Sequence, residues 1–481
     1  MPRPLSSLVQ QDLSADLIIH SVTADSRKAG PGVLFAALPG TKVDGASFIP
    51  AAIEAGATAI LGGLDILDQK VPVIRVSDPR RAYALAAKAL WDRQPQVCVA
   101  VTGTNGKTSV ATFCRQIFEA LGHKAASMGT LGVTAMGQQL TPPGLTTPDA
   151  ADLAEMMARL ADMGVTHLAL EASSHGIDQR RLDGVDLTAA AFLNLTQDHL
   201  DYHGDMVSYG LAKRRLFDTL LPRGGTAVLN ADSDAFGDFA ATAVMAGQTV
   251  LSVGERGQSL TLKSRQLLPS GQRLVIGYAG GEATIDLPLA GAFQAANALA
   301  AAGLCIAAGE DAGAVLAALA HLQGAPGRLQ RVGTGPHGGE AYVDYAHTPD
   351  GLETVLAALR PHTKSRLIVV FGAGGDRDRG KRPQMGEIAA RLADVAIVTD
   401  DNPRSEDPAS IRAAILAAAP AALDIGDRRA AIGHAVGLLK DGDVLVVAGK
   451  GHEQGQTVAG IVYPFDDVRE TAFALGLGAA Q

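Results

Sequence analysis

Residues 97–108, Val-Cys-Val-Ala-Val-Thr-Gly-Thr-Asn-Gly-Lys-Thr, constrain this chain more than any other stretch. An apolar run of strand character feeds directly into Gly103, and Thr108 opens a helix-like stretch through Leu121. A strand, a glycine turn and a helix in succession form the repeating unit of a parallel α/β sheet. Backbone N–H groups of such a loop converge at a helix N-terminus, where negative charge is favoured. Lys107 is suited to the β- and γ-phosphates of a nucleotide, and the Thr108 hydroxyl to Mg²⁺. The usual phosphate-loop spacing puts a glycine where Val101 stands, so Gly103, Thr104, Asn105, Gly106, Lys107 and Thr108 make a shortened variant. A glycine turn without a ligand is the alternative; the flanking strand and helix favour the phosphate site.

The remainder of the chain repeats the strand-then-helix alternation, which predicts an α/β fold with mainly parallel sheets. At 481 residues the length suits about three domains. A break at Asp92–Gln96 and a turn-rich Gly324-Ala-Pro-Gly327 set them at 1–93, 94–328 and 329–481, the last one doubly wound. Aromatic residues are only 4% of a 47% hydrophobic chain, and the abundant Ala and Gly suit close packing of helices on sheets. Cys98, Cys114 and Cys305 have no ligand-like spacing and are expected to be small buried apolar residues of a reducing compartment. A net charge of −9 argues against nucleic-acid binding. Met1–His20 lacks a basic segment followed by a long apolar run, and no apolar stretch is long enough to span a bilayer, so a cytoplasmic protein is expected.

Further polar groups fall just after predicted strands, where open α/β sheets place ligands. His167–Glu171 delivers Glu171, and Ala189–Asn194 leads to Asp198-His199-Leu-Asp201-Tyr-His203. Alone, Glu171 or His199 reads as a solvated loop residue; following a phosphate loop they become candidate Mg²⁺ ligands. Lys213, within Ser208–Phe217, reads by itself as an ordinary surface lysine. In the last segment four predicted strands end at Asp344–Asp350, Gly372–Arg382, Thr399–Arg404 and Gly449–Glu453. Arginines, an amide and carboxylates gathered there suit an amino acid with charges at both ends. Arg377 stands where a dinucleotide fingerprint needs its third glycine, which excludes that motif.

With these residues assembled, the chain resembles the Mur ligases, the family that adds amino acids to the cell-wall precursor. The resemblance rests on Gly103–Thr108, Glu171–Gly176, Asp198–Gly204, Asp344–Asp350 and Gly374–Pro383, in that order, and covers essentially the whole chain. It implies three domains: a UDP-binding one, a central ATPase-like one carrying the phosphate loop, and a C-terminal Rossmann-like one. It also implies an ATP-dependent ligase joining meso-2,6-diaminopimelate to the D-glutamate of UDP-MurNAc-L-Ala-D-Glu through an acyl phosphate, using Mg²⁺; a monomer is expected. Ser26 with Thr41, Lys42 and Val43 would hold the uridine nucleotide, and Thr146, Thr147, Ser173, Gln179 and Arg181 the muramoyl-dipeptide. Asn297, Arg328 and Asp344 match the adenosine site, with Gln294 where the family often has asparagine. Lys107, Glu171, His199 and Lys213 would be catalytic, with Thr108, Glu171, His199 and Lys213, the last carried as a carbamate, holding metal. Arg377, Asp401, Asn402, Pro403, Arg404, Gly449 and Glu453 would bind the diamino acid, Arg404 clamping its distal carboxylate. The base that deprotonates the amine is left open between His199 and His347.

Overall fold

The computed structural model describes residues 2–9, 16–40, 43–268 and 271–478. Chain compactness divides it into two units: 1–262 with 277–281 and 298–318, and 263–276 with 282–297 and 319–481. The strands Leu260–Leu268, Gly271–Tyr278 and Gly281–Leu287, and the helix Ala292–Ala307, are apportioned between the two.

In the first unit, four parallel strands, Ser21–Thr23, Val33–Ala36, Ala59–Gly62 and Val73–Arg75, form an N-terminal sheet in sequence order. A larger sheet follows in the spatial order Gln138–Gln139, Gly132–Ala135, Ala125–Gly129, His167–Glu171, Val97–Thr102, Ala189–Phe192, Thr226–Asn230, Thr249–Gly254. From Ala125–Gly129 onward these strands pair in parallel, as the strand–helix alternation predicts. All five residues of His167–Glu171 are buried, the pattern of a strand covered on both faces. The helix Pro79–Trp91 lays Tyr83, Ala84, Ala86, Ala87 and Leu90 into a core shared with Ala150 and Ala151 of the helix Ala150–Asp162. The Tyr83 hydroxyl donates to Asp149 at 2.6 Å, and Lys88 pairs with Asp186. This contact draws the N-terminal segment and the phosphate-loop segment into one compact unit.

The second unit holds a six-stranded sheet ordered Gln330–Thr334, Glu340–Asp344, Val444–Ala448, Leu367–Phe371, Val395–Val398, Leu423–Asp424. The first pair is antiparallel and the others are parallel. Leu367–Phe371 and Val444–Ala448 are buried throughout, with helices such as Pro349–Leu359 and Arg428–Leu438 supplying apolar cover. The strand ends at Asp344, Phe371, Val398 and Ala448 agree with the sequence expectation to within a residue. The stretch around Lys213 differs more. Its helix runs Met206–Arg215 and then widens into a single π turn, Leu216–Leu220. All three cysteines are free and buried, and burial pushes the Cys98 thiol up to about 12. No helix among the described residues is long and apolar enough to cross a membrane.

Candidate active site

The strand Val97–Thr102 ends on Gly103, and the helix Lys107–Ala120 starts at Gly106, whose φ of +91° admits a glycine without strain. Asn194, at the end of the neighbouring strand, locks the loop. Its side-chain oxygen accepts the Asn105 N–H at 2.9 Å, its amide donates to the Asn105 carbonyl at 3.2 Å, and its carbonyl accepts the Thr104 N–H at 3.0 Å. The Lys107 ammonium turns back onto the loop, donating to the carbonyls of Gly103 at 2.9 Å and Thr104 at 2.8 Å. Lys213 reaches the same Gly103 carbonyl at 2.8 Å from the helix Met206–Arg215.

Lys213 is buried, 1% exposed, and its ammonium lies 4.3 Å from the Tyr209 ring centroid. Burial first, and then the Lys107 charge, pulls its pKa well below the usual lysine value, while Asp198 opposes the shift. Two amines sharing one carbonyl favour either a neutral amine or the arrival of an anion. His199, in a left-handed turn with φ +53°, lies 6.1 Å ring to ring from the same Tyr209. It also packs against His175, 4.8 Å away. Burial and the charges of His199 and His203 depress the His175 pKa to about 4.

Glu171 closes the strand His167–Glu171 and is buried. One carboxylate oxygen accepts the Thr108 hydroxyl at 3.0 Å, and the other accepts the Thr130 N–H at 2.9 Å. Gly129 is needed there, because a Cβ would come within 2.0 Å of that carboxylate. The Thr108–Glu171 spacing fits a hard divalent ion: cis oxygens about 2.0–2.1 Å from an octahedral Mg²⁺ lie about 3 Å apart. These oxygen donors are therefore of the right kind and separation for Mg²⁺.

The residues expected to grip a muramoyl-dipeptide form one network beside Glu171. Thr146 meets the Thr130 hydroxyl at 2.9 Å, and Thr147 donates to the Glu171 carbonyl at 2.8 Å. Thr147 and Ser173 meet at 3.0 Å, and Ser173 caps the helix Ser174–Asp178 through the Gly176 N–H. Arg181 donates to the Thr147 carbonyl and to Gln179, both at 2.7 Å. Elsewhere in this unit Ser26 lines a cleft of about 650 Å³ with Thr23, Asp25, Lys28, Tyr83 and Asp152. Val43 is exposed; Thr41 and Lys42 lie outside the described residues.

In the second unit, Asn297 donates to Gln294, whose amide donates to the Arg328 carbonyl. Asp344 accepts the Leu329 N–H at 2.6 Å and the Ala346 N–H at 2.8 Å. Gln294 thus links Asn297 to Arg328, and Asp344 is tied to the next residue, Leu329. Burial raises the Asp344 pKa, opposed by Arg328, whose guanidinium sits 4.5 Å from the Tyr345 ring centroid.

The loops after Phe371 and Val398 approach so closely that a Cβ on Gly375 would fall 1.9 Å from the Pro403 carbonyl. Across that contact Gly375 donates to the Asn402 carbonyl at 2.9 Å, and Arg404, with φ +53°, donates to the Gly375 carbonyl at 2.6 Å. Arg377 is exposed on the first of these loops. Asn402 donates to Glu453 at 2.9 Å, while its side-chain oxygen accepts from Lys450 and from the Thr457 N–H, each at 2.9 Å. Lys450 is fully buried and also reaches Asp401 at 3.5 Å and Glu453 at 3.4 Å. Arg428, equally buried, pairs with Asp467 through contacts of 2.8 and 2.7 Å and donates to the Ala448 carbonyl, one residue before Gly449.

Sequence reasoning missed Asn194, Thr130, Tyr209, Lys450 and the Arg428–Asp467 pair. Asn194 and Lys450 each stand two residues after a strand, in stretches already singled out, but their contacts depend on loops distant in sequence. His347, considered as a base, is held by its own chain: its Nδ1 lies 2.8 Å from the Tyr345 carbonyl, and burial lowers its pKa.

Three family models cover most of the chain: the Mur ligase family catalytic domain over residues 18–91, the Mur ligase middle domain over 101–305, and the Mur ligase glutamate ligase domain over 327–451. The UDP-N-acetylmuramoyl-L-alanyl-D-glutamate--2,6-diaminopimelate ligase of Caulobacter vibrioides is 70% identical over 99% of both chains. The chain belongs to the Mur ligase family. The Mur ligase of the same description from Mesorhizobium japonicum is 54% identical over 98% of both chains. A solved Mur ligase structure, also described as UDP-N-acetylmuramoyl-L-alanyl-D-glutamate--2,6-diaminopimelate ligase, superposes with a TM-score of 0.75 at 33% identity over 99% of each chain. The mixed α/β architecture described above is that of a Mur ligase.

Proposed function

We propose that this chain is a cytoplasmic, monomeric ATP-dependent ligase that joins meso-2,6-diaminopimelate to the D-glutamate of UDP-MurNAc-L-Ala-D-Glu. The observation that carries the reading is the glycine loop on which Lys107 and Lys213 meet at one carbonyl while Thr108 and Glu171 stand 3.0 Å apart. The 70% identity to a ligase named for this reaction supports it. The three matched family models support a division into 1–93 for the uridine nucleotide, 94–328 for ATP and 329–481 for the amino acid.

Lys107 and the loop N–H groups bind the triphosphate and turn its γ-phosphoryl group toward the D-glutamate carboxylate. Phosphoryl transfer yields ADP and an acyl phosphate; the free amine attacks the acyl carbon, and inorganic phosphate leaves as the amide forms. Catalysis of this kind is mainly positioning and charge stabilisation. Thr108 and Glu171 would hold one Mg²⁺, and His199 with the Lys213 carbamate a second, and these ions would supply positive charge to offset the repulsion between the anionic substrates. The lowered pKa of Lys213 keeps its amine available to CO₂, and the resulting carbamate turns a cation into an oxygen ligand. Thr146, Thr147, Ser173, Gln179 and Arg181 orient the dipeptide, Ser26 and the Thr41–Val43 loop hold the uridine nucleotide, and Asn297, Arg328 and Asp344 hold the adenosine.

In the second unit, Arg404 and Arg377 take carboxylates of the diamino acid, while Asp401, Asn402, Pro403, Gly449 and Glu453 frame its distal ammonium and carboxylate. Lysine lacks the second carboxylate and leaves Arg404 without its partner, a loss on the order of 2–5 kcal/mol. The test is phosphate release with the UDP-sugar dipeptide, ATP and Mg²⁺, comparing meso-diaminopimelate with L-lysine. Turnover with the first and little with the second is expected; equal turnover overturns the substrate assignment.

A further inference from the structure

We propose that His123, His167 and Glu310, at the far end of the strand that delivers Glu171, form a binding site for a divalent transition cation of the zinc class. The three residues come from segments remote in sequence. His123 follows the helix Lys107–Ala120, His167 opens the strand His167–Glu171, and Glu310 follows the helix Ala292–Ala307, all within the first unit. Their ligand atoms lie within 4.8 Å of one another, and among the described residues no other group of three His, Cys, Asp or Glu side chains meets that spacing.

The distances match what such an ion requires. Glu310 Oε1 is 2.9 Å from His123 Nε2 and 3.6 Å from His167 Nε2. Ligands about 2.0–2.1 Å from a tetrahedral ion are separated from one another by about 3.3 Å, so both spacings fall within a few tenths of an ångström of that value. Two imidazoles and one carboxylate select zinc, cobalt or nickel over Mg²⁺, which prefers an all-oxygen shell. His123 retains 32% side-chain exposure, which leaves an approach for the ion and for a water as fourth ligand.

The surroundings of His167 allow the same coordination. Thr166 Oγ1 lies 2.9 Å from His167 Nδ1 and also reaches the Lys124 carbonyl at 3.3 Å, so it can accept from that nitrogen. In that tautomer an Nε2 lone pair faces the Glu310 carboxylate, an arrangement a cation between them relieves. A second residue that fixes the tautomer of a histidine ligand in this way is a common feature of metal sites. The strand His167–Glu171 spans about 13 Å at about 3.3 Å per residue, so the site is separate from the phosphate loop. Its role is to tie three remote segments together beneath the sheet.

The test uses the full chain, stripped of metal and then kept in excess Mg²⁺ so that oxygen-ligand sites are filled. Co²⁺ is titrated in, read by calorimetry and by the visible bands of four-coordinate cobalt. One equivalent with tetrahedral bands is expected in the parent protein. Its affinity should fall by more than about a hundredfold in His123→Ala and Glu310→Gln, and by about 10–100-fold in Thr166→Val, which loses only the tautomer control. Phosphate-release activity, retained in all three, serves as the check on folding. A Co²⁺ titration that is the same in parent and variants, cobalt bands of six-coordinate type, or no binding at all overturns the proposal.

Discussion

Replacing Lys450 by methionine removes the only cation that touches Asp401, Asn402 and Glu453 together among the described residues. Its ammonium is 2.9 Å from Asn402, 3.5 Å from Asp401 and 3.4 Å from Glu453, with the side chain fully buried. At an effective dielectric constant of about 20, each carboxylate contact near 3.5 Å amounts to ~5 kcal/mol of gross attraction. Desolvation offsets most of this, and Glu453 keeps 35% side-chain exposure, so the Asp401 contact dominates. Deleting one partner of a buried pair leaves a net deficit of about 3–5 kcal/mol. The variant also frees the Asn402 amide, whose oxygen is held by Lys450 and Thr457 so that its nitrogen faces Glu453. If even about 2 kcal/mol of that deficit falls on diaminopimelate binding, the KM for the diamino acid rises about thirtyfold, with the KM values for ATP and the UDP-sugar dipeptide unchanged. Steady-state phosphate release with each substrate varied in turn measures all three. A folded Lys450→Met protein whose diaminopimelate KM moves less than about threefold refutes the reasoning.

Arg404→Ala is expected to lose the preference for diaminopimelate over L-lysine, read as the ratio of the two kcat/KM values; an unchanged ratio removes Arg404 from the specificity pocket. Lys213→Ala should be inactive and regain turnover when a short carboxylate is added, whereas full activity without rescue disposes of the carbamate. Arg428→Met should lower the urea midpoint by an amount equivalent to about 3–5 kcal/mol, because it strands Asp467 in a fully buried site; the double replacement with Asp467→Leu should recover much of that. For pH, burial holds His175 and His452 at about 4 in the folded chain against 6.5 when exposed. Their contribution is therefore complete above about pH 6.5 and declines as pH falls toward 4, since the unfolded chain binds the protons first. Denaturation midpoints that stay flat between pH 7 and 4.5 contradict this.

The phosphate loop was legible because local order specifies it: an apolar strand, two glycines with Lys107 and Thr108 at fixed offsets, then a helix. Glu171 was legible for a similar reason, as an acid closing an apolar strand. Lys450 was not, although it sits between Gly449 and Gly451 in a stretch already noted. Its burial comes from the loop at Asp401–Arg404, 46 or more residues earlier, folding over it, and no local pattern encodes that approach. The Arg428–Asp467 pair is hidden in the same way, since each residue alone reads as surface charge at a helix start. Asn194 was quoted as the end of a strand, but its grip on Asn105 across 89 residues depends on parallel pairing of neighbouring strands. The sequence marked breaks at Asp92–Gln96 and Gly324–Gly327, but no local pattern showed that the helix Pro79–Trp91 packs on Ala150–Asp162 and draws the first two segments into one compact unit.

The most direct test of acyl-phosphate chemistry on this loop follows oxygen atoms. UDP-MurNAc-L-Ala-D-Glu labelled with ¹⁸O in the glutamate carboxylate that forms the new bond is turned over with ATP, Mg²⁺ and meso-diaminopimelate, and the released phosphate is weighed by mass spectrometry. One labelled oxygen per phosphate, in step with ADP and the extended product, is the outcome predicted. Product formed with unlabelled phosphate would contradict transfer of the γ-phosphoryl group to that carboxylate.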